Sequence, residues 1–536
     1  MKKHNTVKVV LITILVLLLL SWIFPAAYYS NGYVDQGRVQ MGLAELFNYF
    51  MTSMSYFGHF AIYIVLVGVF YGILYKIPAY RTFLDKIVTK FKGKEKLFVG
   101  IVVILFAAGV SVAGIQIPIA FFIPFVVSII LLLGYDKIVA ALVVVGSLAA
   151  GLIGTTYAAS TLSLLNQILG LEISSQIGVR IVILLVSIIL VLFNIFMLMG
   201  KKSSQVKVAA KKEVVDTKPE KVKEEVVEKK TTKTSAKKTT TKSGKTSSTK
   251  KKSTKSHNKA ALRDEDIIVV KESVLNSDSE NDSYLIPTRV EVTHHTWPFA
   301  FTFILMFILI VMAFITWGEG GFGITWFDDV TTKFTEFELF GFPIFTKVYG
   351  AVSSFGNWTV IDLFLPMFLV LLILVLMYNV KFDDILDGAL TGAKKALAPA
   401  FVVLLLYTIL VLVTYHPYQM VFYKAILGLT KGFNIATAAF TAILSSFFNV
   451  DPAYIFQASL PYYASLVTDV EKYPMIAIVY QGMYGFTSLF APTSLILMTV
   501  LAYLKVNYKD WFKAAWKLLL EMFVLLLIIF IILAVI

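Results

Sequence analysis

Apolar residues along this chain come in runs too long for one face of a soluble helix. Val7 to Tyr29, Phe57 to Tyr75, Ile177 to Met199, Trp297 to Trp317, Trp358 to Tyr378 and Leu518 to Ile536 are such runs. Each is about the twenty residues that a helix needs to cross ~30 Å of hydrocarbon. In hydrocarbon every backbone N–H and C=O must be paired internally, which selects helix, and the alternation of a membrane β-barrel does not occur. The pattern predicts an all-α, polytopic helical membrane protein of about 10–12 spans.

Several stretches break that pattern. Leu97 to Leu133 is about twice a normal span and is interrupted by Gly109, Gly114, Pro118 and Pro124. Lys94 and Lys96 before it and Lys137 after it put both ends on one side, which predicts a helical hairpin. Gly146 to Gly170 is broken at Gly154-Thr155-Thr156. In the second half, Phe447 to Val470 is cut by Asp451-Pro452 and Pro461, and Gln481 to Ser494 interrupts the apolar pattern again before it resumes at Leu495. Short amphipathic pieces, Arg81 to Phe91 and Phe382 to Leu397, precede the broken segments in each half. Interrupted apolar segments in corresponding parts of two repeat-like halves point to the binding site of a secondary transporter.

Composition agrees with lipid as the solvent. Of 536 residues 58% are hydrophobic and only 15% charged, with a mean hydropathy of +0.78. Cysteine is absent, which removes disulfides, thiolate metal sites and cysteine nucleophiles. The six histidines show no metal-ligand spacing. The net charge of +14 is concentrated: 20 Lys against 6 acids lie between Lys201 and Lys259. The chain thus divides into a transmembrane half over residues 1–200, a Lys/Ser/Thr-rich linker over 201–296 read as disordered, and a second transmembrane half over 297–536. The positive-inside rule puts the N-terminus and the linker in the cytoplasm. The segment after Met1-Lys2-Lys3 reads as a retained first helix rather than a cleaved signal.

A helix interrupted within protein exposes free N–H and C=O groups, and the N-terminus of a half-helix favours anions. Thr155, Thr156 and Ser160 at the first break, and Thr487, Ser488, Thr493 and Ser494 at the last, are the candidate solute-binding hydroxyls. Gln116 and Gln481 are amides able to orient a carboxylate or to tie helices together. Small polar residues also serve close helix packing, the plainer reading of each taken singly. Asp451 and His59 are ionisable residues near apolar surroundings, and Arg180, at the start of a span, reads as an interface anchor. No Gly-x-x-x-x-Gly-Lys-Ser/Thr motif and no catalytic constellation occurs, so the chain reads as neither an ATP-driven pump nor an enzyme.

The run Tyr480-Gln-Gly-Met-Tyr-Gly-Phe-Thr-Ser-Leu-Phe-Ala-Pro-Thr-Ser494, with Val506-Asn507-Tyr508-Lys509-Asp510-Trp511 after it, resembles the second hairpin, and the helix after it, of the YfcC-type carriers, relatives of the four-carbon dicarboxylate uptake C family. Trp22 to Ala26, Phe70 to Leu74, Leu133 to Asp136, Gly154-Thr155-Thr156 and Asp387-Gly388-Ala389 carry the same resemblance. The chain departs from the family at Gly114-Ile115-Gln116, Tyr157-Ala158, Ser488 and Asn449 to Pro452. The resemblance implies a secondary transporter of dicarboxylates or amino acids, acting by alternating access, without a cofactor and with Na+ or H+ as coupling ion. It also implies a homodimer in the bilayer, with a small organic anion or amino acid as partner; nucleic acid is not expected, because the Lys-rich run reads as a solvated, positive-inside tether. Two alternatives stand beside it: a basic amino-acid antiporter, and a transporter-derived scaffold acting through the Lys-rich segment.

Overall fold

The computed structural model describes residues 5–216, 285–288, 295–318, 320–350, 353–430, 434–448 and 451–535, with the backbone alone over 201–216. Met1–Lys201 and Asn281–Ile536 form one compact unit; Lys202–Glu280 form a second, described only as the helical backbone up to Asp216. Of the rest of the linker read as disordered, residues 285–288 and 295–296 are described, and the remainder lies outside the described residues.

Seven of the described helices are long and apolar enough to cross a membrane, and the chain is an integral membrane protein. α1 (Asn5–Ile23) ends before Pro25. The predicted first span therefore stops short: Ala26–Tyr29 (β1) instead pairs antiparallel with Tyr33–Gly37 (β2) around a turn in which Asn31 takes a φ of 55°. The chain continues through α2 (Leu43–Leu74), α3 (Pro78–Phe91), α4 (Glu95–Ala113), α5 (Ile123–Leu132), α6 (Lys137–Ile153), α7 (Ala159–Leu169) and α8 (Ile177–Asp216). The second half holds α9 (Trp297–Phe314), α10 (Trp326–Glu336), α11 (Ile344–Tyr349), α12 (Phe364–Met377), α13 (Phe382–Tyr415), α14 (Gln419–Leu427), α15 (Ile435–Phe448), α16 (Pro452–Leu466), α17 (Tyr473–Thr487), α18 (Leu495–Leu504) and α19 (Tyr508–Val535). The amphipathic Arg81 to Phe91 lies on a short helix of its own. Its expected counterpart, Phe382 to Leu397, runs on through Pro399 as part of α13.

α2 and α13 form the frame. Gly68-x-x-x-Gly72 on one meets Gly388-x-x-x-Gly392 on the other, backbone against backbone. A methyl group on Gly68 would come within 2.7 Å of the Gly392 carbonyl oxygen, and one on Gly388 within 2.8 Å of that of Gly72. Small residues at this spacing are what allow two membrane helices to gain dispersion contact along their length. Phe57 and Tyr407 stack 4.2 Å apart further along the same seam, and Lys76 pairs with Asp387 at its end.

Beside this frame two groups of elements, α4–α8 and α15–α19, follow the same order of hairpin, broken helix and closing helix in opposite directions. In the first, α4 and α5 make the predicted hairpin, with both outer ends at the basic end of the molecule, where Tyr75, Ser128 and the Leu285 carbonyl meet. Gly114 (φ 66°) caps α4 at the hairpin's tip. The broken helix α6/α7 follows, then α8. In the second, α15 and α16 make a hairpin whose outer ends meet at Asn434 and Tyr463, toward the other end; α17/α18 is its broken helix and α19 its closing one. Gln481 to Ser494 is thus not a hairpin but the interruption of a helix. α8 and α19 are joined by Asn194, which donates to Glu521 at 2.6 Å, with Lys517 3.3 Å from the same carboxylate.

At the basic end the backbone of Leu285 to Pro287 is held down. The Leu285 carbonyl accepts from Ser128 at 2.6 Å and from Tyr75 at 3.2 Å, and the Pro287 carbonyl from Arg81 at 2.8 Å.

Gly72→Leu is expected to force α2 off α13, because its side chain would overlap Gly388 and Gly392. Detergent-purified protein should lose its monodisperse peak or melt well below wild type. Gly100→Leu, at a position with open space around it, should not.

Candidate functional site

α6 ends where Gly154 leaves helical geometry, and helix resumes only at Ala159. The freed backbone groups are paired by neighbouring elements. Ser111 of α4 donates to the Gly154 carbonyl at 2.7 Å, and its own carbonyl accepts the Thr156 and Tyr157 N–H groups at 2.9 and 3.2 Å. The Thr156 hydroxyl lies 3.1 Å from the Ser111 hydroxyl. Gln481 reaches across from α17 and donates to the Leu152 carbonyl at 2.6 Å and to the Thr155 hydroxyl at 3.0 Å. From α8, Arg180 donates through Nη1 to the Thr155 carbonyl at 3.4 Å and through Nε to the Ser175 carbonyl at 3.2 Å.

The second interruption is paired in the same manner. Ser488 donates to the Gly485 carbonyl at 2.6 Å. Ser494 donates to the Ser488 carbonyl at 2.7 Å while accepting the Leu497 N–H at 3.3 Å, which makes it the N-cap of α18. Thr493 donates to the Phe447 carbonyl at the tip of α15, at 2.7 Å, and Thr487 to the Met483 carbonyl one turn back, also at 2.7 Å. From α19, Trp511 donates to the Leu489 carbonyl at 2.9 Å and Tyr508 to the Phe490 carbonyl. In each repeat, then, a hairpin arm and the first turn of the closing helix hold the break.

The two breaks approach through their first halves. A methyl on Gly485 would lie 2.7 Å from the Cα of Ile153, so α6 and α17 cross in backbone contact beside the Gln481 bridge. Thr155 and Gln481 are brought together directly. Gln116 bonds Thr161 at 3.3 Å, and Ser160 sits against Gly114 at the hairpin tip. Among the described residues no hydrogen bond joins Thr155 or Thr156 to Thr487, Ser488, Thr493 or Ser494, so the hydroxyl clusters meet only through Gln481. Asp451 caps α16, accepting the Tyr454 N–H at 3.1 Å; His59 is half-buried on α2 beside Phe60. Arg180 is no interface anchor: it is 3% exposed, because the α6/α7 break folds over it.

Most candidate hydroxyls therefore spend their proton on a backbone carbonyl. What remains for a solute is the start of each second half-helix. The amides of Ala159 and Ser160 on α7, and of Leu495 and Ile496 on α18, make no hydrogen bond among the described residues. Ser160 is exposed and Gln116 and Tyr157 are half-exposed, whereas Thr493, Ser494 and Ser488 are buried. A narrow cleft of about 30 Å³ runs between Gln116 at the hairpin tip, Leu495 and Thr499 on α18, and Phe60 and Val403 on the frame. A larger space of about 440 Å³ lies elsewhere, under the β-hairpin, between Tyr28, Gln419, Tyr454 and Gln457. Sequence reasoning passed over Ser111, a lone serine in an apolar run, and Glu521, whose charge within the last span was the available signal.

The family model described as "DcuC: C4-dicarboxylate anaerobic carrier" matches residues 4–242 and 268–536. No curated protein matches the chain, and no solved structure does.

Gln481→Leu should cost about 1–3 kcal/mol by removing the donor to the Thr155 hydroxyl and one of the two donors to the Leu152 carbonyl, the other being Thr155 at 2.8 Å. A clear drop in melting temperature is expected for it, and none for Gln167→Leu on the exposed side of α7.

Proposed function

Because the chain belongs to the C4-dicarboxylate anaerobic carrier family, we propose that it is a secondary transporter of C4-dicarboxylates working by alternating access around its two helix breaks. The observation that carries this reading is the pair of oppositely directed broken helices, crossing at Gln481 and Thr155, each starting its second half with unpaired amides. Such amides and the positive end of the half-helix dipole favour a carboxylate, and neutral neighbours such as Gln116 and Ser160 orient it. The frame of α2 and α13 stays fixed while the hairpins and broken helices move against it. Transport is coupled to Na+ or H+ or runs as exchange, within the YfcC-type branch. The basic end, with Lys76, Arg81, Lys86 and Lys96, faces the cytoplasm of a bacterial cell.

Ser160→Asp tests the reading without undermining the fold. A carboxylate in the first turn of α7 is stabilising by roughly 0.3–1 kcal/mol and would occupy the solute's place. Uptake of radiolabelled succinate into proteoliposomes should fall at least about tenfold, the cost of 1.4 kcal/mol in binding, while the melting temperature holds or rises. Undiminished uptake by Ser160→Asp would contradict the assignment. Deletion of residues 203–259 should leave uptake intact; its loss on deletion, with folding preserved, would favour the scaffold alternative.

A further inference from the structure

The two repeats hold their breaks with equivalent residues of different charge. Arg180 and Trp511 each stand three residues into the closing helix of their repeat, α8 and α19. Each is buried, at 3% and 0% exposure, and each donates to a carbonyl inside the break, Arg180 to Thr155 and Trp511 to Leu489. In the second repeat a neutral indole N–H does this work. Holding the carbonyl therefore does not require a cation.

In the first repeat the cation is present and has no counter-ion among the described residues. The guanidinium carries five N–H donors, and only Nε and Nη1 are engaged, both with backbone carbonyls. Among the described residues no carboxylate pairs with it; Glu172, the nearest acid in sequence, is exposed and bonded to Ser174. An unpaired charge taken out of water costs several kcal/mol. The Thr155 carbonyl, at the negative end of the α6 half-helix, offsets part of that cost. The remainder is unaccounted for by the protein alone. Through Thr155 the guanidinium is also one residue from the Gln481 bridge that joins the two breaks.

We propose that Arg180 is the anion clamp of the carrier: its unengaged Nη2 takes a carboxylate of the solute at the α6/α7 break, and the charge discriminates doubly from singly charged acids. This rests on the reading of the chain as a dicarboxylate carrier and adds the residue that sets its charge selectivity. The solute supplies the counter-ion that no described carboxylate provides.

The test separates charge from structure. Arg180→Gln keeps an N–H donor for the Thr155 carbonyl and removes the charge; Arg180→Lys keeps the charge and loses the fork. Binding of succinate and of butanoate, a singly charged acid of the same length, is measured by titration calorimetry on detergent-purified protein. Wild type should prefer succinate strongly. Arg180→Gln should fold, weaken succinate at least about tenfold and abolish the preference, while Arg180→Lys should retain the preference with a loss of only a few-fold. Arg180→Trp, which copies the second repeat, repeats the test should Arg180→Gln not fold. Unchanged succinate affinity in a folded neutral variant would overturn the clamp and leave the carrier reading intact. Equal weakening by Arg180→Lys and Arg180→Gln, or failure of both neutral variants to fold, would assign Arg180 to structure and also overturn it. Absence of C4-dicarboxylate binding in wild type would overturn both.

Discussion

A carbonyl released from a helix inside an apolar bundle has no water to turn to, and the architecture of this protein follows from how it answers that requirement. Two helices are interrupted, at Gly154 to Ala158 and at Ser488 to Ser494, and each interruption frees several backbone groups at once. Ser111, Arg180 and Gln481 converge on the first, and Thr493, Trp511 and Tyr508 connect the second to the elements around it. Those partners come from the hairpin arm, the closing helix and, for Gln481, the opposite repeat. The breaks consequently decide which elements must be neighbours.

The same satisfaction explains why an interruption is useful. The Leu152, Gly154 and Thr155 carbonyls at the first break and the Gly485, Ser488 and Leu489 carbonyls at the second are taken by donors, whereas the N–H groups at the start of α7 and α18 are not taken by acceptors among the described residues. A scaffold that neutralises its acceptors and leaves donors is predisposed toward anions. The glycine seam between α2 and α13 supplies the complementary property. Backbone-to-backbone contact over two full-length helices has little freedom to shift, so any movement falls to the hairpins and broken helices.

Much of this was legible in the residues. Long apolar runs revealed the spans, and glycine and proline within Leu97 to Leu133 revealed the first hairpin. The hydroxyl clusters marked both breaks because small polar residues in apolar runs are rare without cause. Direction was harder to read. Gln481 to Ser494 is a helix interruption rather than a hairpin, and nothing in an apolar run says whether the chain turns back after a break. The extent of α1 was overread because Ala26 to Tyr29 is apolar in composition, although Pro25 marks where its helix stops. Ser111 was invisible because one serine in a helix reads as packing until its partner is known. Arg180 was misjudged because a basic residue at the head of a span is ordinarily at the interface, and only the folding of the broken helix over it removes it from solvent.

The central claim is that a C4-dicarboxylate binds where the two broken helices meet. Hydrogen–deuterium exchange of the purified protein with and without succinate addresses it directly. Slowed exchange confined to residues 111–118, 154–162 and 486–497, with α2 and α13 unchanged, is the result this account requires. Protection restricted to the space under the β-hairpin, around Tyr28 and Tyr454, or no protection at saturating succinate, would contradict it.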